Sequence, residues 1–156
     1  DLIRGVVDLF RSANPQIKFE VQFAEQLPLI PLDSARFRQV INNLVKNAVE
    51  ASAQAESPVC EVRTELLTDG DQEHIQVEIQ DNGEGIPENV SENIFEPYVT
   101  NKTKGTGLGL AIVKKIVEEH AGEVTLKNRE DRGAIAIIRL PISGVSDTLE
   151  PISKSA

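Results

Sequence analysis

Phe37-Arg-Gln-Val-Ile-Asn-Asn-Leu-Val-Lys-Asn-Ala-Val-Glu-Ala51 is the stretch that decides the fold class. Phe37, Val40, Ile41, Leu44, Val45 and Ala48 recur at helical spacing, which predicts an amphipathic helix laid against a core. Asp33 can cap its N-terminus, and the helix is expected to reach about Ala53. At roughly 100° per residue, Asn43, Asn47 and Glu50 fall within about 60° of one another, beside the apolar face rather than opposite it. Asparagine competes with the helix for backbone hydrogen bonds, so Asn42, Asn43 and Asn47 together are a local cost. Magnesium would explain it. Mg²⁺ takes a few protein oxygens together with substrate phosphates, and an amide oxygen adds no negative charge beside a polyphosphate. Two solvated asparagines would explain the stripe equally well.

Working outward, the flanks alternate between helix and strand. Leu2, Ile3, Val6, Val7 and Phe10 share one helical face over 1–13, and Asn14-Pro15 ends that helix. Ile17 to Phe23 alternates as a half-exposed strand. Downstream, strands are expected at 59–67 and 74–80, joined by a polar hairpin loop from Thr68 to Glu73. Asp81 to Gly105 reads as a loop region with one short helix near Ser91–Phe95. A second long helix opens at Thr106 or Gly107 and ends near His120, with Gly122 as its C-terminal cap. Strands at about 123–129 and 133–140 close the fold, and 144–156 reads as a mobile tail. Helices mixed with hairpin-connected strands predict an α/β fold: a two-layer sandwich, one mixed sheet with helices packed on one face.

The chain has 156 residues, 40% hydrophobic composition and a formal net charge of -9. That suits one domain with an aliphatic core, since aromatics make up only 4%. The acidity disfavours nucleic acid and anionic membrane as partners, and a bound nucleotide would need local positive charge or a metal ion. Cys60, the single cysteine, excludes an intramolecular disulfide and reads as a small buried hydrophobe. No apolar run approaches the ~18 residues of a membrane span, and no signal-peptide pattern opens the chain. With no methionine present, Asp1 is expected to lie inside a longer protein, with any sensory or membrane part elsewhere.

Two further segments carry chemistry. Asp81-Asn-Gly-Glu-Gly-Ile-Pro87 directly follows a strand. Its glycines let the backbone approach a ligand closely, and the Asp81 carboxylate can accept a hydrogen bond from an amino group such as that of adenine. An ordinary Asn-Gly turn is the competing reading. Lys102-Thr-Lys-Gly-Thr-Gly-Leu-Gly-Leu110 places three alternating glycines at a helix entrance, where backbone N–H groups and the positive helix end favour phosphate. It is neither a Walker A loop nor a Rossmann fingerprint.

Taken in order, these segments resemble the histidine-kinase branch of the ATPase superfamily that also contains gyrase B, Hsp90 and MutL. Asn43-Leu-Val-Lys-Asn47-Ala-Val-Glu-Ala51 looks like the family's N box, Asp81-Asn-Gly-Glu-Gly85 like its first glycine box, Ile94-Phe-Glu-Pro-Tyr98 like its F box, and Gly105-Thr-Gly-Leu-Gly109 like its second glycine box. Gly133 to Pro141 resembles its closing strand. Within the family, Phe95 to Lys104 and Ala111 to His120 look closest to NtrY-type nitrogen-regulation sensor kinases.

The resemblance implies a Bergerat-type ATP-binding domain over 1–143, with ATP and Mg²⁺ as cofactors. It implies that Asp81 binds the adenine amine with Gly83 and Gly85 in the adjoining glycine box, and that Ala51, Ile86 and Ile94 form apolar walls. Asn47 would coordinate Mg²⁺, with Asn43 assisting near the γ-phosphate. Lys46 and Lys102 would meet phosphates, as would the backbone of Gly105, Thr106, Gly107, Leu108 and Gly109, and 97–106 would close as a lid over ATP. No catalytic base is implied, because Asn43 stands where water-splitting relatives carry glutamate and an amide cannot take a proton at neutral pH.

The implied activity is transfer of the γ-phosphoryl group to a histidine on a separate dimerisation and phosphoacceptor domain, with a response regulator acting downstream. The alternatives are a nucleotide-sensing module without transfer and a serine-directed kinase of the same superfamily. His74 and His120 are read as structural, since neither precedes an acidic residue on a dimerising helix. The implied setting is the cytoplasmic part of a membrane-bound bacterial sensor kinase, the fragment itself monomeric and without direct membrane contact.

Overall fold

A computed structural model describes residues 2–28, 30–87, 93–96 and 109–142. Its described elements are helix α1 (Leu2–Ala13), strand β1 (Lys18–Gln22), helix α2 (Ser34–Ser52), strands β2 (Val59–Asp69) and β3 (Gln72–Asp81), helix α3 (Gly109–Glu119), and strands β4 (Glu123–Asn128) and β5 (Ala134–Pro141). The strands form one sheet in the order β1-β2-β3-β5-β4. β1 runs parallel to β2, and every other pairing is antiparallel. The expected α/β sandwich with a mixed sheet is therefore the observed architecture.

Alternation along the strands decides which face the helices cover. Cys60, Val62 and Thr64 of β2, Ile75, Val77 and Ile79 of β3, and Ala136, Ile138 and Leu140 of β5 all point to one side and are buried. In register, Val62 sits opposite Ile79, and Ile79 opposite Ala136. On that layer lie Val40, Ile41, Leu44 and Val45 of α2, Val113, Ile116 and Val117 of α3, and Leu2, Val6 and Val7 of α1. The opposite face carries Glu61, Arg63, Glu65, Gln76, Glu78 and Arg139. There Arg139 Nε donates to Gln76 Oε1 at 2.7 Å, and Gln76 Nε2 donates to Glu78 Oε2 at 2.7 Å. Among the described residues, no helix is long and apolar enough to cross a membrane.

Two local expectations are corrected. The polar loop expected over Thr68–Glu73 is a two-residue turn: Thr68 pairs with Glu73 and Asp69 with Gln72 inside the ladder. Gly70, at φ 65, takes the left-handed conformation that reverses the chain this tightly. Polar side chains had suggested loop, but on a strand end projecting past the helices they simply meet water.

The end of α3 differs too. Gly122 N donates to Val117 O at 2.9 Å and Ala121 N to Glu118 O at 3.0 Å, the paired bonds of a Schellman motif. The left-handed residue is Ala121, at φ 60, rather than Gly122. Gly122 is needed for space instead: a Cβ there would lie 2.6 Å from Arg139 O and 2.8 Å from Leu140 Cδ2. An alanine in this conformation costs roughly 1 kcal/mol. Ala121→Gly should therefore stabilise the protein by about 0.5–1 kcal/mol in urea unfolding, and no gain would mean that the cap is not left-handed in solution.

Candidate functional site

Asp81 ends β3 on the helix-covered face and is 6% exposed. Its Oδ1 accepts from Gly83 N at 2.9 Å and from Ala134 N at 3.4 Å, so backbone N–H groups fix the carboxylate's rotation. Burial pushes its carboxyl above the ordinary carboxylate value, opposed by those two bonds and by the nearby Arg129 guanidinium. Both of these bonds fall on one carboxylate oxygen, Oδ1. Cys60 pairs directly with Asp81 across the ladder. Burial foremost, then the charges of Asp81 and Glu61, pushes its thiol up to about 12, so it is a neutral packing group as expected.

The loop after Asp81 is held from two sides. Asn82 Oδ1 accepts from Val59 N at 2.9 Å, and its Nδ2 donates to Ser57 O at 2.8 Å, which ties the loop to the start of β2. From the β4–β5 hairpin, Arg129 Nη1 donates to Asp81 O at 2.9 Å and Arg132 Nε to Asn82 O at 3.2 Å. Asn128 Oδ1 accepts from Ile86 N at 2.6 Å.

The glycines serve this packing. A Cβ on Gly83 would run into Ala51 O at the end of α2, and one on Gly85 would lie 2.6 Å from Asn128 Oδ1. The glycines are expected to admit a ligand against the backbone; the atoms the structure places against them are protein atoms, Ala51 O at Gly83 and Asn128 Oδ1 at Gly85. Gly83 thereby brings Ala51, on the last turn of α2, against the loop that carries Asp81.

Along α2, Asn43 and Asn47 are half-buried, whereas Lys46 is exposed. Asn43 Nδ2 donates to Gly109 O at 3.3 Å, which joins the asparagine stripe to the first turn of α3 and presents the amide oxygen as an acceptor. Among the described residues, no group of three or more His, Cys, Asp or Glu side chains could hold a metal ion. The residues expected to hold magnesium, Asn43 and Asn47, carry neutral amide oxygens on this helix. That set fits a magnesium ion that draws its remaining ligands from phosphates and water.

The structure brings Asn43 to Gly109, and Ala51 to the loop of Asp81, Gly83, Gly85 and Ile86. Ile94 is half-buried in a turn over 93–96. Lys102, Gly105, Thr106, Gly107 and Leu108 lie outside the described residues, as do the lid expected over 97–106, residues 91 and 92 of the short helix expected near Ser91–Phe95, and the 144–156 tail; the remaining residues of that expected helix, 93–95, form a turn, with Glu96 N donating to Asn93 O at 3.0 Å. Asn128, Arg129 and Arg132 were not singled out from sequence. Their one signal is the polar, glycine-ended turn Asn128-Arg-Glu-Asp-Arg-Gly133.

His120 fits its structural reading. Its Nε2 accepts from Asp33 N at 3.0 Å and its Nδ1 lies 2.8 Å from Ile116 O, an arrangement that requires the neutral ring protonated at Nδ1. Beside it, Arg36 pairs with Glu119. These contacts fasten the start of α2 to the end of α3. Lys114, Lys115 and Glu118 are exposed, as a solvated helix face requires.

Comparison with known proteins places this geometry among its relatives. The family model for histidine kinase-, DNA gyrase B-, and HSP90-like ATPases matches residues 32–144. The chain is 36% identical to nitrogen regulation protein NtrY of Azorhizobium caulinodans over 157 residues, covering 99% of the chain and 20% of that protein. Among solved structures, the nucleotide-free catalytic domain of histidine kinase ThkA superposes with a TM-score of 0.76 at 36% identity, covering 90% of each chain. ThkA in complex with the response regulator TrrA superposes at 0.72 with 33% identity, covering 90% of this chain and 39% of that one. The chain spans about a fifth of the length of the curated relatives it matches.

Proposed function

Since the chain belongs to the histidine kinase-, DNA gyrase B-, and HSP90-like ATPase family, we propose that it binds ATP with Mg²⁺ between α2 and the Asp81 loop. From there it passes the γ-phosphoryl group to a histidine on a separate phosphoacceptor domain of its parent protein. The observation that carries this reading is Asp81, a buried carboxylate with one oxygen held by Gly83 N and Ala134 N. The other oxygen suits one exocyclic amine, as adenine presents. Guanine would offer a paired N–H and NH₂ edge that needs both carboxylate oxygens.

From that anchor the purine lies along Gly83, Gly85 and Ile86, with Ala51 and Ile94 as apolar walls. The triphosphate runs toward the asparagine stripe. Asn47, assisted by Asn43, holds Mg²⁺, whose charge offsets that of the phosphates on an otherwise acidic protein. Lys46, Lys102 and the backbone of Gly105, Thr106, Gly107, Leu108 and Gly109 complete the phosphate contacts.

In the transfer, a neutral imidazole nitrogen of the acceptor attacks the γ-phosphorus. The N–P bond forms as the bond to the bridging oxygen breaks, ADP leaves, and the ring's N–H proton goes to a base outside this chain. Asn43 cannot take that proton, so this domain contributes position and charge stabilisation. Slow ATP hydrolysis by the domain alone follows. The phosphorylated histidine then serves a response regulator, with the domain on the cytoplasmic side of a membrane-bound sensor.

Asn47→Asp should weaken MgATP binding by about tenfold or more in titration calorimetry, because a carboxylate replaces a neutral oxygen beside the phosphates. Unchanged affinity would remove Asn47 from the site. The full reading is tested by mixing the chain with a separately made phosphoacceptor helix pair and γ-labelled ATP. Acid-labile label on the helix pair supports it. Acid-stable label would indicate a serine-directed kinase, and nucleotide binding without label a sensing module.

A further inference from the structure

Resting on the nucleotide reading above, we propose that Asn128 is a positioning residue for the purine: its amide holds the Gly83–Pro87 loop where the base packs. Asn128 is the last residue of β4, 42 positions from its partner in sequence. Its Oδ1 accepts from Ile86 N at 2.6 Å, and its Nδ2 donates to Ile86 O at 3.2 Å. One side-chain amide thus closes on both polar groups of a single residue, as the backbone of a neighbouring strand would. The loop gains one rung of sheet-like pairing without being a strand.

Gly85 supports the same conclusion. Its φ is 90, and a Cβ there would lie 2.6 Å from Asn128 Oδ1 and 3.2 Å from Asn128 Cγ. The space a side chain would occupy at Gly85 is filled by the Asn128 amide, so the glycine and the asparagine form a matched pair. Arg129 and Arg132 of the same hairpin bind the carbonyls of Asp81 and Asn82. Among the described hairpin residues, Asn128 is the one that reaches the far end of the loop, at Ile86. Without it, the loop stays anchored at Asp81 and is released where the apolar wall of the purine pocket begins.

A positioning role separates ground-state binding from transfer. The phosphate end rests on α2 and the entrance to α3, so loosening the purine wall should change how readily nucleotide is held rather than how fast bound ATP reacts. Asn128→Ala should raise the Kd for ADP and the KM for ATP by similar factors of about tenfold, the loss expected for two exposed neutral hydrogen bonds. The transfer rate at saturating ATP should stay within about twofold. Without nucleotide, the Ile86 amide should exchange its hydrogen faster in the variant. Asn128→Asp keeps the bond from Ile86 N–H but loses the donor to Ile86 O, so it should give a smaller rise in Kd, and it provides the same readings should the alanine variant fail to fold. Affinities within twofold of the unsubstituted protein in a folded variant would overturn the inference. Should the unsubstituted protein take up no nucleotide, the purine-site reading fails; Ile86 exchange then still decides whether Asn128 holds the loop, with unchanged protection counting against it.

Discussion

Asp81→Asn is expected to cost at least a hundredfold in nucleotide affinity without destabilising the folded protein. An asparagine can keep its oxygen on Gly83 N and Ala134 N, the two partners of Asp81 Oδ1. Its NH₂ then falls where the second carboxylate oxygen faced the ligand, so a donor meets the donor amine of adenine. Losing a charge-assisted bond and opposing two donors is worth about 3 kcal/mol, which corresponds to the hundredfold loss.

Stability should move the other way. Burial raises the Asp81 pKa above the ordinary value of 3.8, so the folded state disfavours the charged form. Well below that value both folded and unfolded chains carry the protonated acid, and there is no penalty. As pH climbs through 3.8 toward the raised folded-state pKa, the unfolded chain ionises first, and stability drains away until both states are ionised. The stability of Asp81→Asn relative to the unsubstituted protein should therefore rise across that window and level off above it. Calorimetry of binding at neutral pH and urea titrations from about pH 3 to pH 7 test both halves. Retained affinity would dissolve the proposed purine anchor.

The second large effect is structural. Gly133→Ala should destabilise the fold by about 3 kcal/mol or more and lower Tm by roughly 6–12 °C. Gly133 has φ 95, outside the range an alanine adopts without strain. A Cβ there would also collide with Asp81 O and lie 2.7 Å from the Asp81 carbonyl carbon and 2.9 Å from Asn82 Cα. These are backbone atoms and cannot rotate aside. Relief has to come from shifting either the hairpin or the Asp81 peptide, so nucleotide affinity should fall along with Tm. A melting point within about 2 °C of the unsubstituted protein, by scanning calorimetry, would show that the two segments are not in such close contact.

The sequence and the structure agree best where periodicity is long. Val40, Ile41, Leu44, Val45 and Ala48 specify α2 and its buried face together, and all are buried. The asparagine stripe was visible for the same reason, because helix geometry converts spacing directly into direction. Tight turns were less legible. Thr68–Glu73 looks like loop because polarity marks exposure to water, and the ends of a strand can be as wet as a loop. Ala121 went unnoticed because Gly122 next to it carries the stronger turn signal, although that glycine answers to the crowding of Arg139 O. Least legible were Asn128, Arg129 and Arg132, whose partners lie 42, 48 and 50 positions away. Nothing local marks a side chain that anchors a distant backbone.

The ion-rich outer surface of the sheet has a consequence for how the chain finds its pairing. Were β2 to slip by one residue against β3, Glu61, Arg63 and Glu65 would turn beneath the helices while Cys60 and Val62 turned out to solvent. Three charges would lose their hydration, and Arg63 would leave Gln22 and Glu78 behind on the outer face. Frame-shifted ladders are thereby penalised from both sides. The same charges deter a second molecule from stacking face to face on that surface, since every stacked copy would have to strip water from them.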